Sequence, residues 1–245
     1  MLGFYPIIST QLAYAQNEQI EADAKEAAGY MSYLNRSVLM EPAGSIGSMG
    51  MPIGVALTQQ STLPEENLMA RQLIGYDKED SYLRNTSLHL HKGTDWPVDL
   101  GLAVGNMQGT SIHTLGAYIQ ATVLEDLGVP SISIRALWSS MYGLKDANVS
   151  SAGAEVIISQ GMLRYFNFFA SARVEQSRVS MSLDDSEYYG LYHEDGTWSH
   201  NENLNTQSLS GGLRINLLPD LNTTVEANRD QRAYTSYGLK IGLLL

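Results

Sequence analysis

The chain has no cysteine among its 245 residues. That excludes disulfides, thiolate metal sites and a cysteine nucleophile. It also lacks any run of about twenty apolar residues, so no transmembrane helix is expected. Basic residues are scarce: 15 Lys and Arg stand against 26 Asp and Glu, a formal charge of -11. A nucleic-acid binder carries a basic patch, so nucleic acid is excluded as a partner class. None of these absences counts against a membrane β-barrel, whose strands alternate and escape a hydropathy window.

What the chain does have is 22 glycines with many Ser, Thr and Asn, a composition suited to strands and turns. The stretch to start from is 233–245. Tyr237, Leu239, Ile241, Leu243 and Leu245 alternate with Ser236, Gly238, Lys240, Gly242 and Leu244. A period of two held for about ten residues suits a tilted strand crossing a bilayer. A greasy strand left as an open edge invites aggregation, whereas a closed barrel needs a last strand to pair with its first. The five alternating residues are therefore expected to face lipid and to serve as the assembly signal, with the barrel-assembly machinery as partner during biogenesis.

The same alternation begins at Gly50. The segments 50–60, 85–92, 97–106, 111–124, 131–142, 148–159, 163–176, 207–218, 222–229 and 233–245 predict an all-β, antiparallel transmembrane β-barrel of ten strands over residues 47–245. An even count puts both barrel ends on one side. With both termini placed in the periplasm, the turns at 93–97, 125–130, 159–162 and 218–222 fall inside. The segments 60–84, 106–110, 143–148, 177–206 and 229–233 fall outside and include two long loops, 60–84 and 177–206. Short turns inside and long loops outside is the asymmetry of an outer-membrane barrel. The expected location is the bacterial outer membrane, with its lipid and lipopolysaccharide as surroundings.

Ahead of the barrel, residues 1–15 end in Ala13-Tyr-Ala15 and read as a signal-peptide remnant, although the basic start is missing. Residues 16–46 are expected to form a helix, from 17 to 38, and a linker. Ile20, Ala24, Ala27, Met31, Leu34 and Val38 make one narrow apolar face. Glu18, Glu21, Asp23 and Glu26 load the first turns with acid, which suits a helix N-terminus. Such a helix packs against or inside the barrel, plugs one mouth, or meets a periplasmic partner.

The polar strand face is mostly Gly, Ser, Thr and Asn, too small for a solvated exterior. A soluble lipocalin-like barrel would instead turn its aliphatic face inward and cover the outside with charge. The expected lumen-lining residues are His89, His91, Asp99, Arg135, Glu155, Arg173, Glu175, Arg214, Glu226 and Lys240. Both signs are present, and in a narrow lumen they must pair, because an unpaired buried charge is costly.

The runs Trp96-Pro-Val-Asp-Leu-Gly101, Leu115-Gly-Ala, Pro130-Ser-Ile-Ser-Ile-Arg-Ala136 and Ser159-Gln-Gly161 carry a resemblance. Over residues 30 to 245 the chain is similar to an uncharacterised family of Gram-negative outer-membrane β-barrel proteins with a short helix before the barrel. The resemblance implies fold and location and no defined activity. Such chains commonly end in an aromatic residue read by the assembly machinery, where this one has Leu245.

Little in the sequence points to catalysis. His89 and His91, two apart on one strand face, offer two metal ligands, but no spacing supplies the rest, so neither metal nor cofactor is expected. In the second long loop Asp184, Asp185, His193, Glu194, Asp195 and His200 offer an acid/base or divalent-cation site, and an omptin-like protease also uses outer Asp and His residues, yet no motif aligns. The expected function is a narrow pore or small-solute channel. The alternatives are a structural or adhesive surface barrel that meets a partner through its long outer loops, and an outer-membrane enzyme of the protease or lipid-A modifying kind.

Overall fold

Branched and aliphatic residues alternating with small polar ones let a strand face lipid on one side and a crowded interior on the other. The computed structural model describes residues 5–36, 41–44, 50–61, 68–75, 82–125, 129–162, 165–184 and 197–245. Within them the strands are β1 (Pro52–Ser61), β2 (Tyr82–Gly93), β3 (Val98–Met107), β4 (His113–Leu124) and β5 (Ser131–Tyr142). They continue as β6 (Ala147–Met162), β7 (Phe166–Asp184), β8 (Thr197–Leu218), β9 (Leu221–Asp230) and β10 (Thr235–Leu244). Each pairs antiparallel with its neighbour in sequence, and β1 pairs with β10 to close the barrel. At that seam Val55 lies opposite Ile241 and Leu57 opposite Leu239 on the outside, with Ala56 opposite Lys240 on the inside.

Burial follows the pleat. On β3, Asp99, Gly101, Ala103 and Gly105 are buried, while Leu100, Leu102 and Val104 are exposed. Exposed aliphatic side chains recur around the circumference, including Val55, Leu88, Ile119, Ile134, Val156 and Val225. A continuous apolar belt of this kind is a lipid-facing surface, not a water-facing one. Trp96 and Tyr165 stand exposed at one end of the belt and Trp138, Tyr142 and Tyr237 toward the other. Aromatic residues at both interfaces are the usual boundary of such a band. The protein is a transmembrane barrel of the outer-membrane type.

The second long loop is shorter than expected. Most of 177–206 is strand: β7 continues to Asp184 and β8 starts at Thr197, in register from Ser177 opposite Leu204 to Asp184 opposite Thr197. The physical reason is an inversion of the pattern. Here Val179, Met181 and Leu204 point inward and are buried, while Arg178, Asn201, Asn203 and Asn205 are exposed outside. A strand that has left the bilayer meets water outside and an apolar packing core inside. The first long loop, 60–84, likewise holds a helix, α2 (Leu68–Ile74), and the start of β2.

The N-terminal helix, α1 (Tyr5–Leu34), is longer than the expected 17 to 38, and Val38 lies outside the described residues. Ile20, Ala24, Ala27, Met31 and Leu34 are all buried. Yet every residue from 27 to 36 is buried, not one face of them. That stretch is enclosed on all sides because it lies inside the barrel. A place inside the barrel is among those expected, but α1 enters from the long-loop end, where it meets the β9–β10 turn, and not from the short-turn side where both termini are expected. Among the described residues no helix is long and apolar enough to cross a membrane.

Candidate functional site

The lumen is built in two storeys around residues 20–36 and 41–44. The upper storey, toward the long loops, is apolar. There Ala27, Met31 and Leu34 of α1 join Met69, Ala70 and Leu73 of α2 and the inward side chains of Leu83, Met107, Met141 and Val179. Tyr30 meets Tyr234 of the β9–β10 turn edge-on and Tyr33 meets it at a tilt, with ring centroids 5.6 and 5.1 Å away. Burial raises the Tyr234 phenol above its usual pKa, and the nearby Glu26 carboxylate adds to the shift. Arg232 Nη1 donates to the Gly29 carbonyl at 3.1 Å. A Cβ at position 29 would lie 2.8 Å from that same nitrogen, so a larger residue there would have to push the flexible Arg232 side chain aside.

Below this the chemistry turns polar. Ser32 Oγ donates to Ser177 Oγ at 2.6 Å, and Asn35 Nδ2 donates to Ser151 Oγ at 2.9 Å. Arg36 Nη1 donates to Asn228 Oδ1 at 2.7 Å, and its Nε lies 3.6 Å from Glu175 Oε2. The void left between Arg36 and the β1–β4 wall is about 10 Å³. A cavity needs roughly 10–15 Å³ to hold one water, so this void has room for about one water at most.

The lower storey centres on Glu41. Its carboxylate accepts from Arg214 and from Lys240, and His91 Nε2 lies 3.0 Å from Oε1. Arg135 Nη2 donates to the Glu41 carbonyl at 3.2 Å. Ser159 Oγ donates to the Ala43 carbonyl at 2.8 Å, and Gln120 Nε2 donates to that of Gly44 at 3.3 Å. The segment is thus tied to several strands at once. Around it the wall has its own network: Arg135 meets Glu155 at 2.9 Å, Arg173 meets Glu155 at 3.3 Å, and Ser171 Oγ donates to Glu155 at 2.6 Å. The Arg135 guanidinium lies 4.6 Å from the centre of the Tyr118 ring, and the Tyr118 hydroxyl is 2.6 Å from His91 Nδ1. Beneath the plug a vestibule of about 720 Å³ opens at the short-turn mouth, lined in part by Glu41, Asp99, Tyr118 and Arg214.

Of the residues expected in the lumen, His89, His91, Asp99, Arg135, Glu155, Arg173, Glu175, Glu226 and Lys240 are buried, and Arg214 is half-buried. The structure gathers His91, Arg135, Arg214 and Lys240 on Glu41, joins Arg135 and Arg173 through Glu155, and pairs Glu175 with Arg36. His89 stays apart from these ion pairs. Its Nε2 is 2.8 Å from Ser87 Oγ, and its ring stacks 6.0 Å from that of His91. Tyr237, Leu239, Ile241, Leu243 and Leu245 are exposed on the exterior. Of the outer acid/base cluster, Asp184 ends β7 and His200 sits in β8, 3.3 Å from Glu202. Asp185, His193, Glu194 and Asp195 lie outside the described residues. Among the described residues no group of three or more His, Cys, Asp or Glu is placed to hold a metal ion.

Glu41 and Arg36 are the residues that reading the strands missed. The expected lumen charges already balance, Asp99, Glu155, Glu175 and Glu226 against Arg135, Arg173, Arg214 and Lys240. No surplus pointed to a missing partner. Arg36 and Glu41 add one charge of each sign, and only their position inside the barrel reveals them.

No family model matches the chain, and no curated protein does. Among solved structures it is similar to a KdgM porin, at 10% identity and a TM-score of 0.41, over 78% of this chain and 98% of that one. The N-terminal β-barrel domain of Pseudomonas aeruginosa OprF gives 7% and 0.38, over 81% and 98%. The Yersinia pestis outer membrane protein Ail gives 12% and 0.35, over 80% and 99%. At these identities no activity passes from them to this chain. The barrel reading rests on its own closed strand order and apolar belt.

Proposed function

We propose that the chain is a bacterial outer-membrane barrel sealed by its own N-terminal segment, a surface-anchored structural module and not an open channel. The observation that carries this reading is the occupied lumen. Residues 27–36 and 41–44 run through it, bonded to the wall at each level, and the void beside Arg36 is about 10 Å³. A hydrated ion has no path through such a space.

The face beyond the belt supports the same reading. There the outer halves of β7 and β8, α2 and the exposed part of α1 form ordered structure around an apolar core. A solute channel has no need of that core. A platform that meets a surface protein or the lipopolysaccharide layer does, because it must hold its shape. Insertion by the barrel-assembly machinery, through the exposed residues of β10, belongs to this proposal.

One observation favours a second reading. The lower lumen is polar and opens into the vestibule, so a barrel whose plug moved would conduct. Planar-bilayer recording of the full chain separates the two. A silent trace at moderate voltage is the expected outcome, and a steady open conductance would overturn the sealed-barrel reading in favour of the pore.

A further inference from the structure

Followed backwards from β1, the described residues lie at successive levels of the lumen from one mouth to the other. Pro52 starts β1 at the short-turn end, opposite Leu244 of β10. Gly44 and Ala43 are bonded to β4, β5 and β6 in the lower lumen. Arg36, Asn35 and Ser32 are bonded to the wall farther up. Gly29, Tyr30 and Tyr33 meet Arg232 and Tyr234 in a turn at the long-loop end. Beyond that rim α1 continues without a break toward Tyr5, and Glu21, Lys25 and Glu26 are exposed.

This route has a consequence for how the protein is made. The segment that now lies past the long-loop rim is covalently joined to a strand that starts on the opposite side. It carries Glu18, Glu21, Asp23 and Glu26. Ionised carboxylates do not pass through hydrocarbon at an acceptable cost, so lipid is closed to it. The barrel interior, apolar toward the long loops and polar below, is the route the structure shows, and the segment is still in it.

We infer that the barrel conducts its own N-terminal segment through the lumen and presents it at the long-loop face. The barrel is then a conduit and an anchor for the chain ahead of residue 27. Small side chains at Ala24, Ala27, Ala28 and Gly29 let the helix pass the rim, where Arg232 crowds it. The Glu41 ion pairs and the bonds of residues 29–36 then hold it against slipping back. This inference rests on the outer-membrane reading above, and its test is separate from the conductance measurement.

The absence of native cysteine makes that test clean. Three single-cysteine variants are made in the full chain: Glu21→Cys on α1, Gln231→Cys in the exposed β9–β10 turn and Asp95→Cys in the exposed β2–β3 turn. Heat-modifiable migration confirms that each folds, and intact cells are treated with a membrane-impermeant maleimide. The expected result is labelling of Glu21→Cys and Gln231→Cys on intact cells, with Asp95→Cys labelled only after permeabilisation. Glu21→Cys that labels only after permeabilisation, or not at all, overturns the inference. A Gln231→Cys variant that is shielded while Asp95→Cys reacts would reverse the barrel and overturn both proposals. A barrel that conducts while Glu21→Cys still labels would refute the seal alone.

Discussion

Glu41 is one carboxylate shared by Arg214, Lys240 and His91, while its backbone carbonyl takes a bond from Arg135. None of those four partners is on α1, so this residue couples the threaded segment to β2, β5, β8 and β10. Glu41→Gln keeps the size of the side chain and removes the charge. Arg214 and Lys240 are then left inside the barrel without their anion. Removing one partner of a buried pair costs ~3–5 kcal/mol, and Arg214, a fifth exposed, puts this case toward the lower end. The expected outcome is faster amide exchange in α1 and transient openings in planar bilayers where the native chain is silent. Glu155 is the comparison, because its partners Arg135, Arg173 and Ser171 are on the wall and the Arg135 bond to the Glu41 carbonyl does not depend on the Glu155 charge. Glu155→Gln is expected to lower the urea midpoint of the barrel while α1 exchanges as slowly as before. If the two variants behave alike, the threaded segment has no latch of its own.

At the scale of the strand, one rule accounts for what was legible in the sequence and what was not. Inside the belt, aliphatic means outward, and that pattern located the staves, their parity and the β1–β10 seam. Ile241, paired with Val55 and exposed to lipid, tests the rule. Ile241→Arg is expected to impair folding into vesicles by ~2–4 kcal/mol, the cost of arginine near the midplane, and normal insertion would mean that the faces are reversed. Past the belt the rule inverts. Val179 and Met181 turn inward and Arg178 outward, so an aliphatic-outward search stops near residue 176 and reads the rest of β7 as loop. The helix shows a related gap. Its periodicity identified an apolar stripe, and that stripe is buried. Nothing local says that Ser32, Asn35 and Arg36, which a periodic reading leaves for solvent, are buried too. Their partners, Ser177, Ser151 and Asn228, lie more than a hundred residues away, and a lumen assembled from such distances leaves no mark on local sequence.

At the scale of the whole molecule, a threaded segment and a barrel that make one closed body can be locked and unlocked. Ser32 on α1 and Ser177 on β7 hold their hydroxyl oxygens 2.6 Å apart in the buried lumen. Side chains that meet this closely are candidates for a disulfide, whose Cβ atoms stand about 3.5–4.5 Å apart. With no native cysteine, Ser32→Cys and Ser177→Cys have no competing thiols. The pair is expected to cross-link on mild oxidation of the folded protein, detected as a linked peptide by mass spectrometry. The decisive form carries Glu41→Gln as well. Oxidised, it should be silent in a planar bilayer, because the segment cannot leave even with its latch removed. Reduced, it should show the same openings as Glu41→Gln alone. Equal conductance in both states, with the linkage verified, would mean that ions bypass the segment and that some other element seals the barrel. Conductance that returns only on reduction would make the threaded chain itself the stopper.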